Sequence, residues 1–148
     1  ILLVSPLRTS DGAHQSRSAV LVEITDSEGF VGWGENVATS GVAYVGESAE
    51  ASYAAMTQML IPELVKHEVA VADLFADGWW GIPGHHFAKH ALESALWDVH
   101  ARRQEKSLAE VLGAAESEIE VGVVVGMHDS IDDVVAEVMM RVDETWCY

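Results

Sequence analysis

Residues 18–35 read SAVLVEITDSEGFVGWGE, and this stretch decides the fold. Its first half alternates apolar and polar residues, which predicts a half-buried strand with Val20, Val22 and Ile24 on the inward face. A polar run follows and ends at Gly29, which can adopt the positive φ that many tight turns require. The chain then returns as a second strand that ends in G-W-G-E. The stretch therefore predicts an antiparallel β-hairpin.

The chain on the N-terminal side of this hairpin divides into two parts. Residues 1–4 are apolar and resemble the tail of a strand, which we expect to join the hairpin in an antiparallel meander. Residues 5–17 are mostly polar and contain Pro6, Asp11 and Gly12, so they are predicted to form a loop.

Helical patterns follow the hairpin. Apolar residues recur at spacings of three and four over about residues 86–103, which is the strongest helical pattern in the sequence. A second helix is predicted from an N-cap at Ser48 to about Val65, with a bend near Pro62. Shorter helices are predicted over residues 71–79 and 108–112.

The pattern changes after Gly113, which is a typical helix stop. Residues 119–125 are almost continuously apolar and β-branched, which is typical of a strand buried on both faces in a parallel sheet. Residues 129–142 then return to helical spacing. The end of the sequence therefore predicts one β-α unit after a meander and helices.

The charge of the chain excludes some classes of partner. Acidic residues number 24 against 8 Lys plus Arg, for a net charge of −16. Such a surface argues against binding to nucleic acid or to anionic lipid, both of which need basic residues. The sequence has no apolar run of transmembrane length. The single cysteine, Cys147, cannot form an internal disulfide, so we expect a reducing, cytoplasmic setting.

The order of these elements resembles the enolase superfamily, in which an antiparallel sheet and helices form a cap before a β/α barrel. The local motifs are similar to those of o-succinylbenzoate synthases and N-acylamino acid racemases in the muconate-lactonizing subgroup. These motifs are Pro6-Leu7-Arg8-Thr9-Ser10, Gly32-Trp33-Gly34-Glu35, Tyr44 with Glu47, Phe87–Glu93 with Trp97-Asp98, and Val121–Gly126.

The resemblance implies an α+β chain with two parts. Residues 1–116 correspond to the N-terminal capping domain, and residues 117–148 to the first β-α unit of a truncated β/α barrel. A complete barrel needs about 250 residues. We therefore expect a fragment that is inactive alone, with no catalytic residue and no metal ligand of the family within it.

The resemblance also implies the chemistry of a parent enzyme. In these enzymes lysines move a proton next to a substrate carboxylate, and Mg²⁺ stabilises the resulting enediolate. The synthase then eliminates water in menaquinone biosynthesis, whereas the racemase returns the proton to the other face. We expect a small-molecule carboxylate substrate and a homo-oligomeric parent. Dipeptide epimerase, muconate cycloisomerase and a non-catalytic binding domain stay open as alternatives.

In the family, the cap loops close over the barrel and select the substrate. By position, the resemblance assigns substrate contacts to Asp11, Thr39, Tyr44 and Val124. Two of these depart from the family pattern, because relatives often carry Phe at the position of Asp11 and Ser at the position of Val124. Both departures leave the substrate undecided.

Two motifs have competing interpretations. Gly32 and Gly34 resemble a glycine loop, but no further glycine and helix follow, so we predict close packing of a strand instead. Glu23, Glu35 and Glu47 could form paired carboxylates for acid–base catalysis, but we do not favour a catalytic role, and we expect Glu35 to make a structural hydrogen bond at the cap.

Overall fold

The computed structural model describes residues 1–9, 12–40, 46–66, 81–115, 118 and 120–143. Its strands are β1 (Leu2–Thr9), β2 (Gly12–Ser16), β3 (Val20–Thr25) and β4 (Val31–Asn36). Its helices are α1 (Ala49–Ala55), a π-helical segment (Met56–Leu60), α2 (Ile61–Leu64), α3 (His86–Arg103), α4 (Leu108–Val111) and α5 (Ile131–Asp143). Antiparallel strand pairs followed by helices confirm the α+β fold class.

The chain divides into two compact units, which are described separately. One unit comprises residues 18–115, and the other combines residues 1–17 with residues 116–148. The boundary predicted between residues 116 and 117 stays a prediction.

In the unit of residues 18–115, β3 and β4 form the predicted hairpin. The strands pair antiparallel from Val20 opposite Asn36 to Thr25 opposite Val31. The turn is held by Asp26, whose Oδ1 accepts hydrogen bonds from the backbone N–H groups of Glu28 and Phe30, each at 2.9 Å. The observed hairpin thus agrees with the local alternation and turn chemistry of the sequence.

Helix α3 lies against β4 at very short range. A Cβ atom added to Gly34 would lie 1.9 Å from the carbonyl oxygen of Ala91, and one added to Gly32 would lie 2.3 Å from that of Ala95. The two glycines therefore let the strand backbone contact the helix backbone directly. This confirms the prediction that they serve close packing.

The core of this unit lies between α3 and the helices that follow β4. Its buried members are Ala55, Met56, Leu60, Ala88, Ala91 and Leu92. Ser48 begins α1 as predicted, because its Oγ accepts a hydrogen bond from the N–H of Ala51 at 3.1 Å. A π-helical segment lies just before Pro62, and the bend expected there stays a prediction.

In the other unit, the prediction of a loop over residues 5–17 is wrong, because β1 and β2 form a hairpin there. Leu7 pairs with His14, and Arg8 pairs with Ala13. The register is irregular between Leu2 and Leu7, around Pro6, which cannot donate a ladder hydrogen bond. Residues that suggested a loop thus accompany two paired strands with an irregular register.

The prediction of a strand over residues 119–125 is also wrong for the described residues. Residues 118 and 120–128, the described part of that segment and its continuation, adopt no strand. Val121 is 67% exposed, so this stretch is not buried on both faces as predicted. An apolar segment forms a strand only when its backbone groups pair with another strand. The N–H of Met127 donates to the carbonyl oxygen of Arg8 at 3.0 Å, which attaches this segment to β1.

The remaining helix predictions have different outcomes. The helix expected over residues 129–142 is confirmed as α5, which begins after Ser130; the Oγ of Ser130 accepts a hydrogen bond from the N–H of Asp133 at 3.2 Å. The helix expected over residues 71–79 lies outside the described residues. Among the helices described, none is long and apolar enough to span a membrane.

Candidate functional site

The four residues predicted to contact substrate are placed to different extents. Asp11 and Tyr44 lie outside the described residues. Thr39 lies in the unit of residues 18–115, just after β4. Val124 lies in the other unit and is 80% exposed. Only the surroundings of Thr39 therefore form a described site.

Thr39 follows a tight turn that begins at the end of β4. The side chain of Asn36 is fully buried, and its Oδ1 accepts a hydrogen bond from the N–H of Ala38 at 2.9 Å. The carbonyl oxygen of Thr39 accepts a hydrogen bond from the N–H of Ala49 at 3.0 Å. The backbone of Thr39 is thus fixed both to the strand end and to the first turn of α1.

Two polar atoms in this turn are buried without a partner. They are the Nδ2 of Asn36 and the Oγ1 of Thr39. A buried polar atom that makes no hydrogen bond costs about 1–3 kcal/mol, so each requires an explanation. An amide N–H and a hydroxyl can both donate, which suits an oxygen-bearing ligand such as a carboxylate.

Glu47 connects the first turn of α1 to the first turn of α3. One carboxylate oxygen accepts hydrogen bonds from the Oγ of Ser52 at 2.6 Å and from the N–H of Ala88 at 3.2 Å. The other accepts a hydrogen bond from the N–H of Phe87 at 3.2 Å. Burial alone would raise the pKa of Glu47, but these hydrogen bonds and the nearby charge of His85 lower it overall. The carboxylate is therefore held ionised by structural contacts.

This contact supplies a helix cap that the local sequence lacks. His85 precedes α3 in the left-handed conformation with φ of 54°, and its side chain makes no capping hydrogen bond. Capping is usually supplied by Ser, Thr, Asp or Asn at this position. Sequence reasoning missed the role of Glu47, although the missing local cap before His86 was a usable signal.

Asp98 makes the equivalent connection between α3 and β4. Its Oδ2 accepts a hydrogen bond from the N–H of Trp33 at 2.9 Å, and its Oδ1 accepts one from the Nε of Arg102 at 3.0 Å. Burial acts to raise the pKa of Asp98, whereas the hydrogen bonds and the charge of Arg102 lower it overall. Asp98 of the Trp97-Asp98 motif thus has a structural function at the hairpin.

The lowered pKa values of these two carboxylates predict that the protein loses stability in acid. The folded-state pKa values of Glu47 and Asp98 lie below the ordinary 4.5 and 3.8. Their contribution is therefore complete above the ordinary values and is lost as the pH falls through the lowered ones. We expect Glu47→Gln and Asp98→Asn to be less stable than wild type at neutral pH but to lose less on acidification. Urea unfolding between about pH 7 and pH 3 measures this, and identical acid profiles for all three proteins would contradict it.

The described residues contain no cluster of candidate metal ligands. Across the described ranges, no three His, Cys, Asp or Glu side chains come together in a way that could hold an ion. The carboxylates of Glu47 and Asp98 already accept hydrogen bonds from backbone N–H groups.

A comparison with known proteins places these features in a family. Residues 2–113 match the family described as mandelate racemase / muconate lactonizing enzyme, N-terminal domain. The chain belongs to this family. The hairpin, the two close-packed glycines and α3 all lie within the matched residues of this mandelate racemase/muconate lactonizing domain.

Several relatives of this N-terminal domain have named activities. The o-succinylbenzoate synthase of Geobacillus kaustophilus is 36% identical over 135 residues, which cover 88% of this chain and 35% of that protein. The N-succinylamino acid racemase of an Amycolatopsis species is 34% identical over 142 residues, which cover 96% of this chain and 38% of that protein.

A solved structure shows the same arrangement. A member of the enolase superfamily from Listeria innocua Clip11262 superposes with a TM-score of 0.87 at 29% identity, covering 97% of this chain and 38% of that chain. The chain thus spans little more than a third of the length of the relatives that it matches.

Proposed function

We propose that this domain is the N-terminal, substrate-selecting part of an o-succinylbenzoate synthase. The observation that supports the proposal most directly is the buried Oγ1 of Thr39, which has no hydrogen-bond partner. Thr39 occupies a position that the resemblance assigns to substrate contact. An unpaired buried hydroxyl there is the arrangement expected of an atom that a ligand contacts.

The proposed role of this chain is to bind and enclose rather than to move a proton. Thr39 would donate a hydrogen bond to an oxygen of the substrate, and residues around it would exclude water. Asp11, Tyr44 and Val124 are proposed as further contacts. We propose Mg²⁺ as the cofactor of the parent enzyme, where it would stabilise negative charge that develops on the substrate, and we propose no ligand for it in this chain.

Racemisation of N-acylamino acids is a second candidate activity. The identity to the Amycolatopsis racemase is nearly as high as that to the synthase, so sequence similarity alone does not separate them. Both reactions begin by removing a proton next to a carboxylate, and they differ in their later steps. We further propose a cytoplasmic, homo-oligomeric enzyme of menaquinone biosynthesis.

A fusion protein tests the proposed function. The whole chain would replace the corresponding N-terminal segment of the Geobacillus kaustophilus synthase, and turnover would be measured with the synthase substrate and with N-succinylamino acids in the presence of Mg²⁺. We expect the fusion to form o-succinylbenzoate, with a KM that differs from that of the native synthase because the substrate contacts differ. The unfused chain is expected to show no turnover.

The outcomes of this experiment are distinct. A fusion with native-like circular dichroism that turns over neither substrate would overturn the proposed function. Racemase activity without synthase activity would replace the first candidate by the second. Turnover by the unfused chain would show that it contains catalytic groups of its own.

A further inference from the structure

We propose that Glu47 is a positioning residue for Thr39, and that it acts on substrate binding through the first turn of α1. This inference rests on the proposed function, because it assigns a support to the residue that would contact substrate. Glu47 itself has no part in the chemistry, since its two carboxylate oxygens are occupied by protein hydrogen bonds.

Glu47 is anchored to the start of α3. Two backbone N–H groups of α3, those of Phe87 and Ala88, donate to the carboxylate of Glu47. Charge-assisted hydrogen bonds of this kind are roughly twice as strong as neutral ones, and the positive end of the helix dipole adds to them. Because α3 packs against β4 by direct backbone contact, Glu47 is bound to a helix that is itself held against the hairpin.

Glu47 is also linked to Thr39 through the first turn of α1. Glu47 directly precedes Ser48, the N-cap of α1, and it also accepts a hydrogen bond from Ser52 on the first turn. Ala49 begins that helix and donates its N–H to the carbonyl oxygen of Thr39 at 3.0 Å. A displacement of Glu47 would therefore move the donor that fixes the backbone of Thr39.

The proposed substrate contact of Thr39 depends on the exact position of its Oγ1. Its side-chain Oγ1 is buried and unpaired, so its contribution to binding depends on where the backbone places it. A shift of a few tenths of an ångström lengthens a hydrogen bond beyond its optimal range. Loss of the anchor should thus weaken substrate binding more than the chemical step, whose groups lie elsewhere.

The test is a double-mutant cycle in the synthase fusion. We expect Glu47→Ala to raise KM about tenfold while kcat changes less than about threefold. Glu47→Gln keeps one acceptor oxygen and should give an intermediate KM. In a Thr39→Val background, which lacks the hydroxyl, Glu47→Ala should raise KM less than about twofold. The exposed Glu35→Ala serves as the matched carboxylate control and should leave KM unchanged.

A second measurement is independent of catalysis. In the 148-residue chain, Glu47→Ala should accelerate hydrogen exchange at the amides of Phe87 and Ala88, with little change in the β3–β4 ladder. Glu47→Gln should accelerate exchange at fewer of these amides, which keeps the test valid if the alanine variant unfolds.

The outcomes separate this inference from the proposed function. Equal effects of Glu47→Ala in the wild-type and Thr39→Val backgrounds, or a fall in kcat with no rise in KM, would overturn the positioning role. Unchanged exchange at both amides would also overturn it, because the anchor would then be absent. An inactive wild-type fusion with the expected exchange pattern would overturn the proposed function and retain the anchor.

Discussion

Replacing Gly34 by alanine is expected to lower the free energy of unfolding by about 3 kcal/mol or more. The added Cβ would lie 1.9 Å from the carbonyl oxygen of Ala91 and 2.9 Å from the nitrogen of Ala95. Both atoms belong to the α3 backbone, so no side-chain rotation can relieve the overlap. The strand and the helix would have to separate, which would also disturb the hydrogen bond from Trp33 to Asp98. Urea unfolding followed by tryptophan fluorescence measures the loss.

Gly81→Ala is the matched control for this substitution. A Cβ at Gly81 would have no atom within 4 Å, and its φ lies outside the left-handed region. We expect the control to change stability by less than about 0.5 kcal/mol. A loss below about 1 kcal/mol for Gly34→Ala would mean that α3 does not contact β4 at this distance.

The second large effect is expected for Leu92→Ala, at about 2–5 kcal/mol. Leu92 is 1% exposed and belongs to the core between α3 and the helices after β4. Removing its branched side chain deletes buried apolar surface and leaves a cavity among residues held by backbone contacts. Because β4 fixes the position of α3, the helix cannot shift to fill that cavity. The urea midpoint and the m-value together measure the change.

Leu112→Ala is the control for the same chemical change at the surface. Leu112 is 60% exposed and lies just after α4. We expect a loss of less than about 0.5 kcal/mol there. Similar losses at both positions would contradict the placement of the core on the inward face of α3.

Local sequence patterns predict the elements that depend mainly on interactions between neighbouring residues. The hairpin of residues 20–36 is predictable because the alternation of apolar and polar residues, and the turn between Asp26 and Gly29, both act over a few residues. Helix α3 was predicted with its observed bounds because its apolar residues recur over five turns. The packing role of Gly32 and Gly34 followed from the strand pattern around them.

The wrong or missed predictions share one physical cause. The elements concerned depend on residues that lie far away in the sequence. Residues 120–125 have strand-forming side chains, but no strand pairs with this described stretch. The β1–β2 hairpin was missed because Pro6 and Gly12 suggest a loop when the pairing of Leu7 with His14 is unknown. In the same way, no sequence periodicity links Glu47 to the amides that it caps.

The long-range cap of α3 has a consequence for how the chain folds. The carboxylate of Glu47 lies 40 and 41 positions from its two amide donors, so the first turn of the helix cannot be completed by neighbouring residues. A synthetic peptide of residues 84–104 should therefore fray at its amino end, and its circular dichroism should show fewer ordered turns than the intact protein. In the full chain, the loop between Glu47 and α3 must close before the first turn of α3 is complete, and this closure costs conformational entropy. We therefore expect that first turn to form late on the folding pathway.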